Sequence, residues 1–162
     1  MADLLDHAAR SALMARIRSA DTAPELFVRR FLHRAGYRYR LHARDLPGRP
    51  DIVLPKYATC IFVNGCFWHA HAGCAYARLP KTHTAAWSDK LRKNVARDRR
   101  SRRALLAAGW RVIDIWECGI KDVSDPDLSW LPSLVEAEGA GRVVWPKRPR
   151  KAKPAARKSR RR

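Results

Sequence analysis

No run of apolar residues in this chain of 162 approaches the length that crosses a bilayer, so no membrane span is expected. The N-terminal MADLLDHAARSALMARIRSAD carries acids early and lacks the continuous apolar stretch and small-residue cleavage site of a secretory leader, which points to a cytoplasmic location. No internal repeat is visible, so a solenoid or propeller is not expected. Acidic residues are few: 15 against 34 lysines and arginines, a formal net charge of +19. Between Arg142 and Arg162 they are absent while 11 basic residues are present, and the rest of the chain still holds 23 basic residues against the 15 acids. Charge placed only for solubility has its two signs interspersed. This imbalance instead predicts a polyanionic partner, and we read that partner as nucleic acid.

What is present is the pattern of one α/β domain. A chain of this length supports one core, and 46% hydrophobic with 30% charged residues suits a soluble fold. Thr22 is placed to cap a helix, with Pro24 and Glu25 in its first turn and the pairs Phe27/Phe31 and Val28/Leu32 at i,i+4 spacing. Gly36 ends it. Tyr37, Tyr39 and Leu41 alternate with Arg38 and Arg40 as a half-buried strand. The turn-rich LPGRP leads into a second strand from Asp51, which Pro55 stops, and ATCIFV is a third strand of the kind covered on both faces. Residues 64–84 show no period. Ser88 is placed to cap a long helix whose Leu91, Val95, Asp98, Arg102 and Leu105 share one face, and Gly109 stops it. WRVIDIWE is a last strand. The order α-β-β-β-α-β argues for a mixed sheet flanked by helices. After Gly119 the signals weaken, and from Pro146 the Pro/Lys/Arg composition reads as disorder.

Cysteine is sparse, four in all, yet three of the four fall around the aperiodic segment. Cys66, His71 and Cys74 are close in sequence, and Cys118 follows the last strand, where a sheet can return it to them. Three thiolates and one imidazole make a closed tetrahedral zinc site, a structural staple for a loop with no period of its own. Cys60, inside ATCIFV, is read as an ordinary buried thiol.

Three carboxylates stand where a core would not ask for them. Asp51 opens an apolar strand, Glu25 lies in a helix first turn and Asp98 interrupts an apolar helix face. Phosphodiester hydrolysis uses carboxylate oxygens to hold Mg²⁺. Glu25 is equally explained as a favourable charge at a helix N-terminus, and Asp98 as a buried ion pair with a neighbouring arginine. Spacing leaves His69 either a further metal ligand or a general base.

The runs RSALMARIRSADTAPE, LPGRPDIVLP, IFVNGCFWHAH, KNVARDRR and GWRVIDIWEC, in order from about Arg10 to Cys118, resemble the very-short-patch repair (Vsr) endonucleases. The resemblance implies a restriction-endonuclease-like core with a structural zinc site. It implies an enzyme that nicks DNA 5′ of the T in T:G mispairs left when 5-methylcytosine deaminates. Asp51 is then the main Mg²⁺ ligand, joined by the backbone carbonyl of Val63; His69 is the general base, Glu25 supports, and Asp98 helps organise the site. The implied zinc ligands are Cys66, His71, Cys74 and Cys118. The resemblance also implies three regions: a DNA-contacting arm over 1–20, an endonuclease domain over 21–141, and a basic disordered tail over 142–162. Its implied partner is double-stranded DNA carrying a T:G mismatch; mismatch-repair proteins are admitted as further partners, and a monomer is expected. Two departures stand out. Val63 and Asn64 replace the Thr-His of better-known members, so an imidazole role at position 64 is lost, and HAHAGC is one residue longer before its last cysteine.

Phe67, Trp68 and Trp87 match family residues that wedge into the base stack beside the mismatch, where unstacking costs least. Trp110 and Trp116 are read as core. Arg49 and the Arg/Lys series from Lys90 to Arg103, Lys93 and Arg97 among them, would position phosphates. Two rival classes keep the charge and the Cys/His cluster: a restriction-type nuclease with another target, and a non-catalytic zinc-stapled nucleic-acid-binding module.

Overall fold

A computed structural model describes residues 20–149 and 151. The expected N-terminal arm therefore lies outside the described residues apart from residue 20, as does the tail beyond residue 151.

Five strands form one sheet in sequence order. They are β1 (Arg40–Leu41), β2 (Ile52–Leu54), β3 (Thr59–Asn64), β4 (Arg111–Trp116) and β5 (Arg142–Trp145). β1, β2 and β3 pair antiparallel, and β3, β4 and β5 pair parallel. Helix α1 (Ala23–Arg34) packs on one face and α2 (Thr84–Ala107) on the other, and a short α3 (Leu131–Glu136) lies on the α1 side. The period of two sorts the strands cleanly. Ile52, Leu54, Ile61, Ile113 and Ile115 meet Val28 and Leu32 of α1 and Leu131 and Val135 of α3. Val53, Cys60, Phe62 and Val112 meet Leu105 of α2. Both faces are covered, which is why ATCIFV and RVIDIW read as nearly continuous apolar runs. Cys60 is buried in this core, as expected.

The caps follow the sequence. Thr22 Oγ1 accepts from the N–H of Glu25, and Gly36 and Gly109, at φ +89° and +85°, release the chain after α1 and α2. Gly48 is required by close approach instead. A Cβ there would lie 2.6 Å from Cβ of Ser101, so its absence lets the loop leading to Asp51 pass against α2.

Three boundaries are corrected. The strand expected from Tyr37 to Leu41 is only Arg40–Leu41. The Tyr37 N–H is not available to a ladder because it closes the end of α1 by donating to the Leu32 carbonyl at 3.0 Å, while the Tyr37 and Tyr39 hydroxyls donate to Glu136 Oε1 at 2.7 Å and to the Arg29 carbonyl at 3.1 Å. The long helix begins at Thr84, with Ser88 inside it. Of the segment expected as a tail from residue 142, Arg142–Trp145 is a strand that pairs parallel with β4 from Val112 to Ile115.

Candidate active site and metal centre

β2 and β3 bring the GRPD loop and the end of ATCIFV side by side. Asp51, just before β2, accepts a hydrogen bond at Oδ2 from the N–H of Val63 at 2.8 Å. Its other oxygen takes no hydrogen bond among the described residues. Burial pushes the Asp51 carboxyl up to about 6; the Val63 N–H works against that rise, and the nearby charge of Glu25 adds to it. A carboxylate this costly to ionise, with one oxygen spare, fits a site that gains a cation.

Asp51 shares a cleft of 740 Å³ with Val63, Trp68, His69, Arg97 and Asp98 among others. His69 stands in the loop after β3, and its Nδ1 lies 2.6 Å from Oδ2 of Asp98 on α2. Burial disfavours the ionised form of Asp98, yet the bond to His69 and the charges of His69, Arg102 and Arg97 hold it below the usual carboxylate range. The partner of Asp98 is thus first the imidazole, with Arg97 and Arg102 farther off at 3.6 and 4.0 Å. The Asp98 carboxylate leaves Nε2 of His69 as the nitrogen free to take a proton.

Glu25 is buried one layer back. It pairs with Arg29, and His42 Nε2 lies 3.4 Å from its Oε1. With Asp21 these residues form a second cluster of possible ligands, but the guanidinium of Arg29 already supplies positive charge there, 2.6 Å from Asp21.

The candidate metal centre is assembled from two chain segments. Cys66, His71 and Cys74 come from the loop and Cys118 from the turn after β4, and their ligand atoms all lie within 4.8 Å of one another. Cys66 Sγ and Cys118 Sγ are 3.4 and 3.5 Å from His71 Nδ1. Tetrahedral bonds of metal–sulfur and metal–imidazole length would put S and N about 3.5 Å apart, so the four could hold one metal ion. Burial lowers the His71 pKa, which keeps the imidazole neutral as a ligand must be, and pushes the Cys66 thiol up, a penalty that a bound cation reverses. Trp116, expected in the core, instead stacks on the His71 ring at 4.0 Å and 3° and packs against the three cysteines.

Phe67, Trp68 and Trp87 pack edge to face, with centroids 5.1 to 6.0 Å apart, beside the cleft that Trp68 lines. Lys90 lies 5.4 and 5.3 Å over the two indoles. Arg49 and Arg97 also line the cleft, whereas Lys93 is exposed and paired with Asp89 at 2.7 Å.

Four further residues hold these parts together; three were not singled out for the site in the sequence, and the fourth, Arg102, belongs to the series expected on phosphates but is buried. Asn94 donates to the Trp68 carbonyl at 3.0 Å, and Glu117 accepts from the Cys66 N–H at 3.0 Å. Arg102 and Asp114 form a buried pair beneath Asp98. The one local signal was Asp114, an acid inside the apolar VIDIW.

The family model described as DNA mismatch endonuclease Vsr matches residues 2–75. A type II nicking enzyme of Xanthomonas oryzae pv. oryzae is 50% identical over 123 residues, which cover 76% of this chain and 90% of that protein. The DNA mismatch endonuclease Vsr of Escherichia coli K12 is 44% identical over 121 residues, covering 75% and 77%. A type II nicking enzyme of Neisseria meningitidis is 42% identical over 122 residues, covering 75% and 86%.

Proposed function

This chain belongs to the Vsr family of DNA mismatch endonucleases, and on that premise we propose that it nicks one strand of DNA on the 5′ side of the T in a T:G mismatch. It is a DNA endonuclease of mixed α/β fold; the finer reading of that fold is a restriction-endonuclease-like core. The observation that carries the proposal is that Asp51, with a spare oxygen, and the His69–Asp98 pair line one cleft beside an aromatic cluster.

Asp51 and the carbonyl of Val63 are the residues that would hold Mg²⁺. When bound there, the ion polarises the scissile phosphate and stabilises the negative charge that develops on its oxygens. Asp98 orients His69, whose Nε2 takes the proton of the attacking water. Glu25 sharpens the demand of Asp51 for a cation by adding negative charge behind it. Trp68, backed by Phe67 and Trp87, enters the base stack at the mispair, where the unstacking cost of a few kcal/mol per step is smallest. Arg49 and Arg97, lining the cleft, and the more distant Lys93 contact phosphates and carry no sequence code.

The three sulfurs and one imidazole nitrogen are the donor set of structural zinc, and the closed ligand count leaves no open position for chemistry. His71 lies two residues beyond His69 and Cys66 one before Phe67, so ordering the cluster orders the loop that carries base and wedge.

The test is a nicking assay on T:G duplex, matched duplex and single strand, with and without Mg²⁺. Mg²⁺-dependent cleavage of one strand of the T:G duplex alone is the expected result. Double-strand cutting of matched DNA would instead identify a restriction-type nuclease, and binding without cleavage a zinc-stapled binding module.

A further inference from the structure

Cys60, Phe62 and Val112 of β3 and β4 pack on the α2 side, and the same alternation continues to Asn64 and Asp114. At these two positions the side chains are polar, with only 4% and 1% of the residue exposed. Both meet Arg102, itself buried. Asp114 Oδ1 accepts from Arg102 Nε at 3.1 Å, from Arg102 Nη2 at 2.8 Å and from Asn64 Nδ2 at 2.9 Å. Arg102 Nη2 also donates to Asn64 Oδ1 at 3.0 Å, and Arg142 Nε of β5 donates to Asp114 Oδ2 at 2.8 Å. The guanidinium lies 3.5 Å over the Phe62 ring, and its remaining nitrogen, Nη1, is 4.0 Å from Oδ1 of Asp98, one turn earlier on α2.

Such a network is a poor source of stability, because desolvating its charges offsets most of their attraction and well-packed apolar side chains would serve as well. What apolar side chains cannot supply is direction. A guanidinium fork clamped at one end presents its other end at a fixed angle. We propose that Arg102, clamped by Asn64 and Asp114, is a positioning residue for nicking: its immobilised positive charge, 4.0 Å from Oδ1 of Asp98, draws that carboxylate and, through it, the His69 imidazole into place over the cleft. Asn64 extends the same constraint along the chain to Val63, whose N–H holds Asp51. One buried network thereby reaches both halves of the cleft. The inference rests on the nicking function proposed above.

The experiment is steady-state nicking of T:G duplex in Mg²⁺ by the full-length chain and two variants, with melting temperature measured for each. Arg102→Met/Asp114→Leu replaces the ion pair by apolar volume and leaves Arg142, which is 44% exposed at its side chain, free to turn to solvent. It is expected to fold, to keep KM within about twofold, and to lose kcat by about 10- to 100-fold, the scale of a small misplacement of reacting groups. Arg102→Lys retains the charge without the fork and is expected to recover part of that kcat at unchanged KM. A folded double variant with wild-type kcat overturns the proposal, as does a loss confined to KM. Should the double variant fail to fold, Arg102→Lys decides alone, and an unchanged kcat there overturns the proposal. Wild-type protein that nicks no T:G duplex overturns the functional reading and this one with it, whereas wild-type nicking with indifferent variants overturns this one only.

Discussion

Nδ1 of His69 lies 2.6 Å from Oδ2 of Asp98, across 29 residues of sequence and between a loop and a helix. The carboxylate selects the tautomer and leaves Nε2 as the acceptor, an arrangement that suits a base rather than a ligand of the neighbouring metal centre. His69→Ala is expected to lower kcat for T:G nicking by about 10²- to 10⁴-fold, the usual range for a lost general base. Metal content should stay at one ion per chain. If metal analysis shows the ion gone, His69 is a ligand and the role of His71 is wrong.

Asp51 yields a paired expectation of opposite signs. Asp51→Asn should abolish nicking while leaving duplex affinity nearly intact, since affinity comes mainly from phosphate contacts. It should also stabilise the Mg²⁺-free protein. The folded-state pKa of about 6 exceeds the ordinary 3.8, so the native state binds more protons than the unfolded chain between those values. Stability from this group is present at low pH and is lost as pH rises from about 4 to about 6. The loss at neutral pH is on the order of 2–3 kcal/mol. Thermal melts of wild type and Asp51→Asn without added Mg²⁺ should converge at pH 4 and separate at pH 7.5, with the variant higher. Equal melting temperatures at pH 7.5 would count against the buried carboxylate.

Cys118 ties the turn after β4 to the loop after β3. Cys118→Ser is expected to lose the bound metal, lower the melting temperature and reduce activity through the loosened Phe67 to His69 segment. Inductively coupled plasma analysis of protein purified without chelator should find one zinc per wild-type chain. Finding none would remove the structural zinc.

Trp68 lines the cleft and packs against Phe67 and Trp87. Trp68→Ala should reduce the preference for T:G over matched duplex, because it removes the wedge whose cost depends on the mispair. Trp116→Phe keeps a ring on His71 and should leave that preference unchanged. Equal preference in wild type and Trp68→Ala, measured by competition binding, would falsify the wedge.

The C-terminal charge is expected to add DNA affinity without selectivity. Pro149 packs over Gly73, where a Cβ would lie 3.5 Å from its Cγ, so the chain after β5 returns to the metal loop. Truncation after Lys151 keeps that contact and removes six basic residues and no acid. Binding to matched and mismatched duplex should weaken alike, and the slope of log K against log salt should flatten by at most about 5. Truncation after Gly141 would also delete β5 and should destabilise the fold. Unchanged affinity after the first truncation would mark the segment as an address or protein-docking element.

Local chemistry made much of this protein legible in its sequence. Thr22, Pro24 and Gly36 bound α1 because caps act within a turn of where they stand, and the periods of Val28/Leu32 and of Ile52 to Leu54 mark buried faces because pitch and pleat are local. The Cys/His grouping around residues 66–74 and the acid at Asp51 were visible because soft donors and a strand-opening carboxylate are costly without a purpose. Tertiary structure decided the rest, since register is set by pairing partners far away in sequence. β5 is four residues of alternating burial after a weak segment, and only its parallel pairing with β4 makes Arg142–Trp145 a strand rather than part of a tail. Asn64 reads as a departure from a family pattern. Only the parallel register of β3 on β4 sets it within 2.9 Å of Asp114, 50 residues on, and only the packing of α2 across both lays Arg102 over the pair. Trp116 reads as core and stacks on the His71 ring for the same reason: the alternation of a strand says which side chains share a face, while the neighbour each one meets there is fixed by packing.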